Sequence, residues 1–187
     1  MSSQPKPIPE LETERLLLRP LTAEDSPELF GLYSDEAVTR FIDIDPMQDV
    51  DQARRQVETF NALFEGGRGF RWGVFELEEQ RLIGTCGFHD WDHQRARAEL
   101  SYDLAKRHWG QGYMREALQA AITFGFASMN LNRIEALVDP TDTRSKNLLF
   151  GLGFTLEGLL KDHDFLKGQY QDDLVFALLK AEWVKED

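Results

Sequence analysis

The hydrophobic residues between positions 113 and 129 predict a long amphipathic helix in the middle of the chain. They recur at helical spacing and would share one buried face: Met114, Ala117, Leu118, Ala121, Ile122, Gly125 and Met129. Hydrophobic segments at residues 98–104 and 134–138 predict a strand on either side of this helix. The strand, turn and helix over residues 97–129 are therefore expected to organise the fold.

Similar patterns predict the surrounding elements. Further strands are expected over residues 15–20, 70–77, 82–91, 154–163 and 173–180, the last two as a hairpin around 167–173, and helices over 23–33, 36–41 and 50–64. Thr22 and Asp25 are typical of a helix N-terminus, and the glycines at 66, 67 and 69 end the third helix. Seven strands with helices between them indicate an α+β layer fold rather than a doubly wound sheet.

The turn before the central helix contains Arg107, Gly110 and Gly112 at the spacing R-x-x-G-x-G. Glycine lets backbone N–H groups approach a ligand closely, and a helix N-terminus adds partial positive charge. Such a turn suits a phosphate group. Two nearby glycines are also common in turns that bind no ligand, so the pattern alone leaves that alternative open.

The order of strand, R-x-x-G-x-G turn, helix and strand resembles the core of the GNAT N-acetyltransferases. The phrase TERLLLRPLTAEDSPELFGLYSD at residues 13–35 resembles the opening of their RimJ/RimL branch. The resemblance covers about residues 11–183, taken as one domain after a leader at 1–10. It implies a mixed, mostly antiparallel sheet of about seven strands with flanking helices, splayed at an acetyl-CoA site. It also implies direct acetyl transfer to a primary amine of a protein N-terminus or a small molecule.

The same resemblance implies where acetyl-CoA binds. The backbone of Tyr102, Asp103 and Leu104 would pair with the pantetheine arm like an added strand. The pyrophosphate would be held by the turn and its neighbours: Arg107, His108, Trp109, Gly110, Gln111, Gly112 and Tyr113. Local positive charge is expected from Lys106, Arg107, Arg144 and Lys146. Asp142 and Ser145 complete the cofactor set.

Asp142 is a departure from the family pattern N-x-x-S, because it stands where asparagine is usual. Aspartate keeps the ability to cap a helix but lacks the amide donor. In many acetyltransferases a tyrosine that donates the proton to the leaving thiolate stands at the position of Leu149 in this chain. Both departures motivate an alternative, a non-catalytic module that binds CoA or a peptide. A Rossmann dehydrogenase is a poorer option, since no G-x-G-x-x-G follows a predicted strand.

Acetyl transfer needs a base for the amine and an acid for the departing thiolate. The RimJ/RimL resemblance assigns the acid to Ser145 and the base to Asp164, with Glu99 on the central strand as the rival base. The alternative for Ser145 is a helix-cap hydroxyl, and for the carboxylates a solvated strand position. Four aromatic residues are either core side chains or walls of an acceptor pocket: Trp72, Trp91, Trp109 and Phe165.

The composition of the chain bears on its possible binding partners and its location. With 33 acidic and 21 basic residues the formal charge is −12. This charge disfavours binding of nucleic acid and favours binding of cationic partners. The alternative is that the charge only keeps the protein soluble. No apolar run approaches the ~20 residues of a membrane span, so a cytoplasmic protein is expected, with a homodimer suggested by resemblance only. Cys86 is expected to be an inert core thiol. The segment HDWDH at 89–93 lacks helical ligand spacing, so no metal is expected.

Overall fold

The computed structural model describes residues 8–183. One mixed sheet has the strand order β1-β2-β3-β4-β5-β6-β8-β7. Its strands are β1 (Leu11–Glu12), β2 (Leu16–Pro20), β3 (Phe70–Glu76), β4 (Arg81–Asp92), β5 (Arg97–Leu104), β6 (Arg133–Val138), β7 (Thr155–Leu166) and β8 (Gln169–Leu179). The helices are α1 (Ser26–Tyr33), α2 (Glu36–Thr39), α3 (Val50–Glu65), α4 (Tyr113–Ala127) and α5 (Thr143–Gly151). The predicted α+β fold is confirmed.

Hydrophobic side chains on both faces of the sheet form two cores. The larger one packs α4 and α5 against the sheet and buries the predicted stripe of α4 from Met114 to Gly125. The smaller one packs α1 and α3 against the opposite face, around Phe75 and Leu82. Alternating side chains of the strands supply both cores because successive residues point to opposite faces.

The sheet opens between β5 and β6. These strands form the parallel pair of the sheet, and they pair only over Arg97–Glu99 with Arg133–Glu135. β5 remains paired with β4 on its other side as far as Leu104. The β6-facing edge of residues 100–104 is therefore separated from β6, which is the splay that the family resemblance implied.

Several elements differ from their predicted bounds. An eighth strand, β1, pairs with β2 over two residues. The helix predicted over 23–33 is a 3₁₀ turn at Ala23–Asp25 followed by α1, and α2 stops at Thr39. The last hairpin turns over Lys167 and Gly168 alone, which have φ of 51° and 80°. Two residues of positive φ suit a tight hairpin, so β7 and β8 extend further than predicted.

The start of the described chain joins the folded domain. Ile8 packs against the larger core, and the carbonyl of Pro9 accepts a hydrogen bond of 2.8 Å from the Trp72 indole. Residues 1–7 of the predicted leader lie outside the described residues. Cys86 is buried, as predicted, and burial raises the pKa of its thiol to about 12. Within residues 8–183, no helix is both long and apolar enough to cross a membrane.

Candidate active site

The turn between β5 and α4 presents an uncapped helix N-terminus. Gly110 and Gly112 have φ of 74° and 81°, the left-handed region that glycine tolerates best. Gly112 is the N-cap of α4, and it offers no side-chain acceptor to the first N–H groups of this 15-residue helix. These groups and the helix dipole together make a site for an anion such as phosphate.

Arg15 holds this turn against the first strands. Its Nε donates to Glu116 at 2.7 Å, and its guanidinium donates to the Gln111 carbonyl at 3.1 Å. The guanidinium also lies 4.3 Å from the centre of the Tyr113 ring. Arg15 is predicted from sequence only as part of a strand, because nothing local connects it to residues about a hundred positions away.

A first cavity of about 420 Å³ lies beside this turn. It is bounded by α2, the end of β5, the turn, α4 and α5. Ten of the predicted cofactor residues line it: Tyr102, Asp103, Leu104, His108, Trp109, Gly110, Gly112, Tyr113, Asp142 and Ser145. The structure therefore brings most of the predicted cofactor set to one place.

Arg107 and Gln111 lie outside the first cavity, in a depression with Glu76 and Glu79. Arg107 Nε donates to the His108 ring at 2.8 Å, and the Gln111 amide donates to the Arg107 carbonyl at 2.8 Å. Their side chains thus stabilise the turn from its other side. The arginine of R-x-x-G-x-G does not bring its charge into this cavity.

The positive charge of the first cavity comes from Arg144 and Arg115. The Arg144 guanidinium stacks 3.3 Å from the centre of the Trp109 ring. Lys146 instead donates to the Pro140 carbonyl at 2.7 Å. Arg144 was among the predicted cations, whereas Arg115 was not; its place in the first turn of α4, after the glycines, was the available signal.

A second cavity of about 380 Å³ occupies the splay between β5 and β6. Seven carboxylate side chains line it: Asp43, Glu99, Asp103, Asp139, Asp142, Asp164 and Asp173. The basic side chain of its lining is Arg71, which is already paired with Asp103. His89 also lines this cavity, and burial lowers the pKa of its ring. The polar lining of the second cavity is therefore mainly acidic in residue type.

The two cavities meet at the start of α5. Six residues line both of them: Phe41, Ile42, Tyr102, Asp103, Asp142 and Ser145. Molecules bound in the two cavities would meet at this junction, within reach of these six residues.

Asp142 caps α5 and also holds Ser145. The backbone N–H of Ser145 donates to Asp142 Oδ1 at 3.1 Å, and the Ser145 hydroxyl donates to Asp142 Oδ2 at 2.8 Å. The predicted N-cap role of Asp142 is confirmed. The same contact directs the hydroxyl proton of Ser145 to a carboxylate.

Two buried polar atoms at the junction have no hydrogen-bond partner among residues 8–183: the Tyr102 hydroxyl and Asp103 Oδ1. Burial raises the pKa of Tyr102, and the neighbouring Ser145 hydroxyl offsets this only in part. The other Asp103 oxygen accepts from Tyr33 at 2.9 Å and from Thr85 at 2.9 Å, and it also pairs with Arg71. Arg71 further donates to Ser101 at 2.7 Å.

This buried network forms the floor of the second cavity, and the sequence pattern did not predict it. Arg71 lies in β3 between the buried aromatic residues Phe70 and Trp72, and its side chain is only 12% exposed. A lone arginine in such a strand was the available signal, because a buried charge requires a partner.

Glu99 lies inside the second cavity. Burial, followed by the nearby carboxylates of Asp90, Glu135, Asp173 and Asp164, raises the pKa of Glu99 to about 8. Asp164 lies on exposed β7 and accepts a hydrogen bond from the Phe165 backbone N–H at 2.8 Å. Both predicted carboxylates therefore border the second cavity, but Glu99 is partly buried in it, with 19% of its side chain exposed, whereas Asp164 is exposed.

The segment HDWDH is partly drawn together by the fold. Ligand atoms of His89, Asp90 and Glu99 lie within 4.8 Å of one another, a grouping that can hold a cation. Asp92 instead pairs with Arg95 at 2.7 Å, and His93 bonds the Gly67 carbonyl at 2.9 Å. The two histidines of the segment thus serve different neighbours.

The four aromatic residues considered as walls of an acceptor pocket do not line the second cavity. Trp72 is fully buried in the larger core, and Trp109 lines the first cavity. Trp91 stacks on His93 with ring centres 4.0 Å apart, and Phe165 is exposed on the last hairpin. The aromatic lining of the second cavity, among the residues described, consists instead of Tyr33, Phe41, Phe60 and Tyr102.

Known proteins with related sequences share this architecture. Residues 15–155 match the Acetyltransferase (GNAT) domain family. A Bacillus licheniformis protein described as "Uncharacterized N-acetyltransferase p20" is 45% identical over 173 residues, covering 92% of this chain and 97% of that protein. The ribosomal protein uS5 alanine N-acetyltransferase of Escherichia coli strain K12 is 29% identical over 180 residues, 92% of either chain. The structure of Mycobacterium smegmatis RimJ in complex with CoA-disulfide has a TM-score of 0.84 at 23% identity, covering 91% of this chain and 84% of that one, a likeness of fold.

Proposed function

Because the chain belongs to the GNAT acetyltransferase family and is an N-acetyltransferase, we propose that it acetylates a primary amine whose molecule carries further positive charge. GNAT acetyltransferases use acetyl-CoA. The single observation that supports the charged acceptor is the second cavity, where seven carboxylates face one already paired arginine. The relatives are named N-acetyltransferases, so an enzyme is favoured over the non-catalytic module.

The first cavity suits acetyl-CoA. The uncapped N-terminus of α4 and the glycine turn would hold the pyrophosphate, and Arg144 and Arg115 would neutralise its charge. The β6-facing edge of residues 100–104 would pair with the pantetheine amides. The thioester would then reach the junction at Ser145 and Tyr102.

Glu99 is proposed as the base. A primary amine enters as an ammonium ion, and a base with a pKa near the working pH accepts its proton most effectively. Burial and the surrounding carboxylates raise the pKa of Glu99 to about 8. Asp164 remains the second candidate at the cavity rim, where it would require a bridging water because its side chain is shorter.

The acid belongs to the junction, whose hydroxyl groups are those of Ser145 and Tyr102. Ser145 is the one that the RimJ/RimL resemblance assigns. Either hydroxyl would protonate the thiolate as the carbon–sulfur bond breaks.

The acceptor class is tested by release of free CoA thiol with a graded set of amines. The set contains propylamine, diaminopropane, a triamine and two peptides that differ only in having lysine or glutamate after the N-terminal residue. We expect kcat/KM to rise with each added positive charge, and the lysine peptide to exceed the glutamate peptide. Equal values for propylamine and the triamine would contradict the charged-acceptor proposal, and no release with any amine would contradict acetyl transfer itself.

A homodimer through the edge strand β7 is part of the proposal. β7 is exposed along its length, and several large apolar side chains lie on it and at the start of β8: Leu156, Leu159, Leu160, Phe165 and Tyr170. A second copy of the same edge would satisfy its free backbone groups and cover these side chains. Light scattering should give twice the monomer mass, and Leu159→Lys should return the monomer. A monomer in the unaltered protein would contradict this.

The reaction is proposed to need no metal ion, and the protein to act in the cytoplasm. A cation held by His89, Asp90 and Glu99 would occupy the proposed base, so it is expected to inhibit. Dialysis against EDTA should leave the rate unchanged, whereas a lost rate that zinc restores would overturn the metal-free mechanism. Cell fractionation tests the location.

A further inference from the structure

Tyr102 occupies an unusual position at the junction of the two cavities. Its hydroxyl is buried, yet it has no hydrogen-bond partner among residues 8–183. Leaving such a group unpaired costs about 1–3 kcal/mol, so an unpaired phenol is rarely retained only for packing. The side chain lines both cavities, beside Ser145. The phenol proton therefore has no acceptor among residues 8–183, at the junction where the thioester and the amine would meet.

Ser145 is less free to donate. Its hydroxyl proton is directed to Asp142 Oδ2 at 2.8 Å. A carboxylate can only accept, whereas the asparagine usual in this motif can also donate. Asp142 therefore withdraws the Ser145 proton from the junction, and Tyr102 is the other hydroxyl there.

We propose that Tyr102, rather than Ser145, protonates the leaving thiolate, an inference that rests on the proposed acetyl transfer. The amine nitrogen attacks the acetyl carbon, the carbon–sulfur bond breaks, and its electron pair stays on sulfur. The Tyr102 O–H proton moves to sulfur, which gives the free thiol and a phenolate. The phenolate regains a proton from water, while the base releases the amine proton to water, so protons and charge balance.

The chemistry of the two hydroxyls agrees with this assignment. The ordinary pKa of tyrosine is about 10 and that of a cysteine thiol about 8.5, so a phenol is close to a thiol in acidity. A serine hydroxyl is much less acidic than either. Burial raises the pKa of Tyr102 and keeps the phenol protonated at working pH, and the same dry surroundings disfavour a bare thiolate.

The experiment compares Tyr102→Phe, Ser145→Ala and the control Tyr170→Phe, whose ring is 68% exposed. We expect Tyr102→Phe to lower kcat about 100-fold, the scale of a lost acid, with the acetyl-CoA Kd unchanged within about twofold. Ser145→Ala should lower kcat by less than about tenfold, and Tyr170→Phe should leave kcat unchanged. Because Tyr102→Phe removes an unpaired buried hydroxyl, its urea midpoint should equal or exceed that of the unaltered protein.

A second variant separates catalysis from packing. Replacing Tyr102 by a fluorinated tyrosine keeps the hydroxyl and lowers the phenol pKa, so turnover should return and the alkaline limb of the kcat profile should move to lower pH. An unchanged kcat in Tyr102→Phe, or an unmoved alkaline limb in the fluorinated protein, would overturn the assignment while leaving acetyl transfer intact. Absence of thiol release by the unaltered protein would contradict both the assignment of Tyr102 and acetyl transfer itself.

Discussion

At the scale of the residue, Glu99 carries the clearest chemical signal. Burial and then the neighbouring carboxylates raise the pKa of Glu99 to about 8. A base acts only when deprotonated, so kcat/KM should rise with pH and level off above pH about 8. The pH dependence of kcat/KM measures this directly.

Two carboxylate variants serve as controls for that profile. Glu99→Gln should lower kcat/KM and remove the rise near pH 8, whereas Asp164→Asn should keep the rise. If Asp164→Asn alone removed the rise, Asp164 would be the base.

The raised pKa of Glu99 also affects stability. The native pKa of Glu99 exceeds its unfolded value, so ionising Glu99 disfavours the folded state, and the free energy of unfolding should fall as pH rises from about 4.5 to about 8. Glu99→Gln should remove that component of the fall.

The buried pair of Arg71 and Asp103 leads to a prediction about stability. The Asp103 side chain is 4% exposed, and its loss would leave the Arg71 guanidinium buried without a counter-charge. Asp103→Asn should therefore lower the free energy of unfolding by about 3 kcal/mol, measured in urea. Asp51→Asn, in the exposed pair with Arg54, should cost no more than about 1 kcal/mol. Equal losses in the two variants would show that Arg71 does not depend on Asp103.

At the scale of the element, the turn before α4 depends on backbone conformation. Gly112 has φ of 81°, and an added Cβ would lie 3.4 Å from the Arg15 guanidinium. Gly112→Ala should therefore weaken acetyl-CoA binding by roughly fivefold, the equivalent of about 1 kcal/mol of left-handed strain. Calorimetric titration measures the change.

Gly31→Ala is the matched control, because an added Cβ there meets nothing within 4 Å in α1. This variant should keep acetyl-CoA affinity and hold or raise stability, since alanine favours a helix. Unchanged affinity in Gly112→Ala would mean that the turn does not shape the donor site.

At the scale of the whole molecule, acidic charge should draw in the acceptor. The net charge is −12, and the second cavity concentrates seven carboxylates. Screening weakens attraction beyond about 10 Å at 0.1 M salt, so the acceptor KM should rise severalfold between about 0.05 and 0.5 M salt. The rise should be steeper for a triamine than for propylamine. A triamine KM independent of salt would contradict this electrostatic role.

Local pattern was enough to predict most of the fold. The spacing of Met114, Leu118 and Ile122 predicted α4, and the glycines before it predicted a tight anion-binding turn. Such features depend on helical period and backbone freedom, which neighbouring residues encode. The two-residue β1 and the long last hairpin were missed, since pairing with distant strands extends elements beyond their local pattern.

The sequence alone therefore determined the fold class, the glycine turn before α4 and the candidate residues Ser145, Asp164 and Glu99. Only the tertiary structure decided their surroundings. It placed Glu99, partly buried, among carboxylates, left Asp164 exposed, and directed the Ser145 proton to Asp142. It also placed the unpaired Tyr102 hydroxyl at the junction. Burial, charge and hydrogen-bond direction depend on groups far apart in the chain, and these fix what each side chain can do.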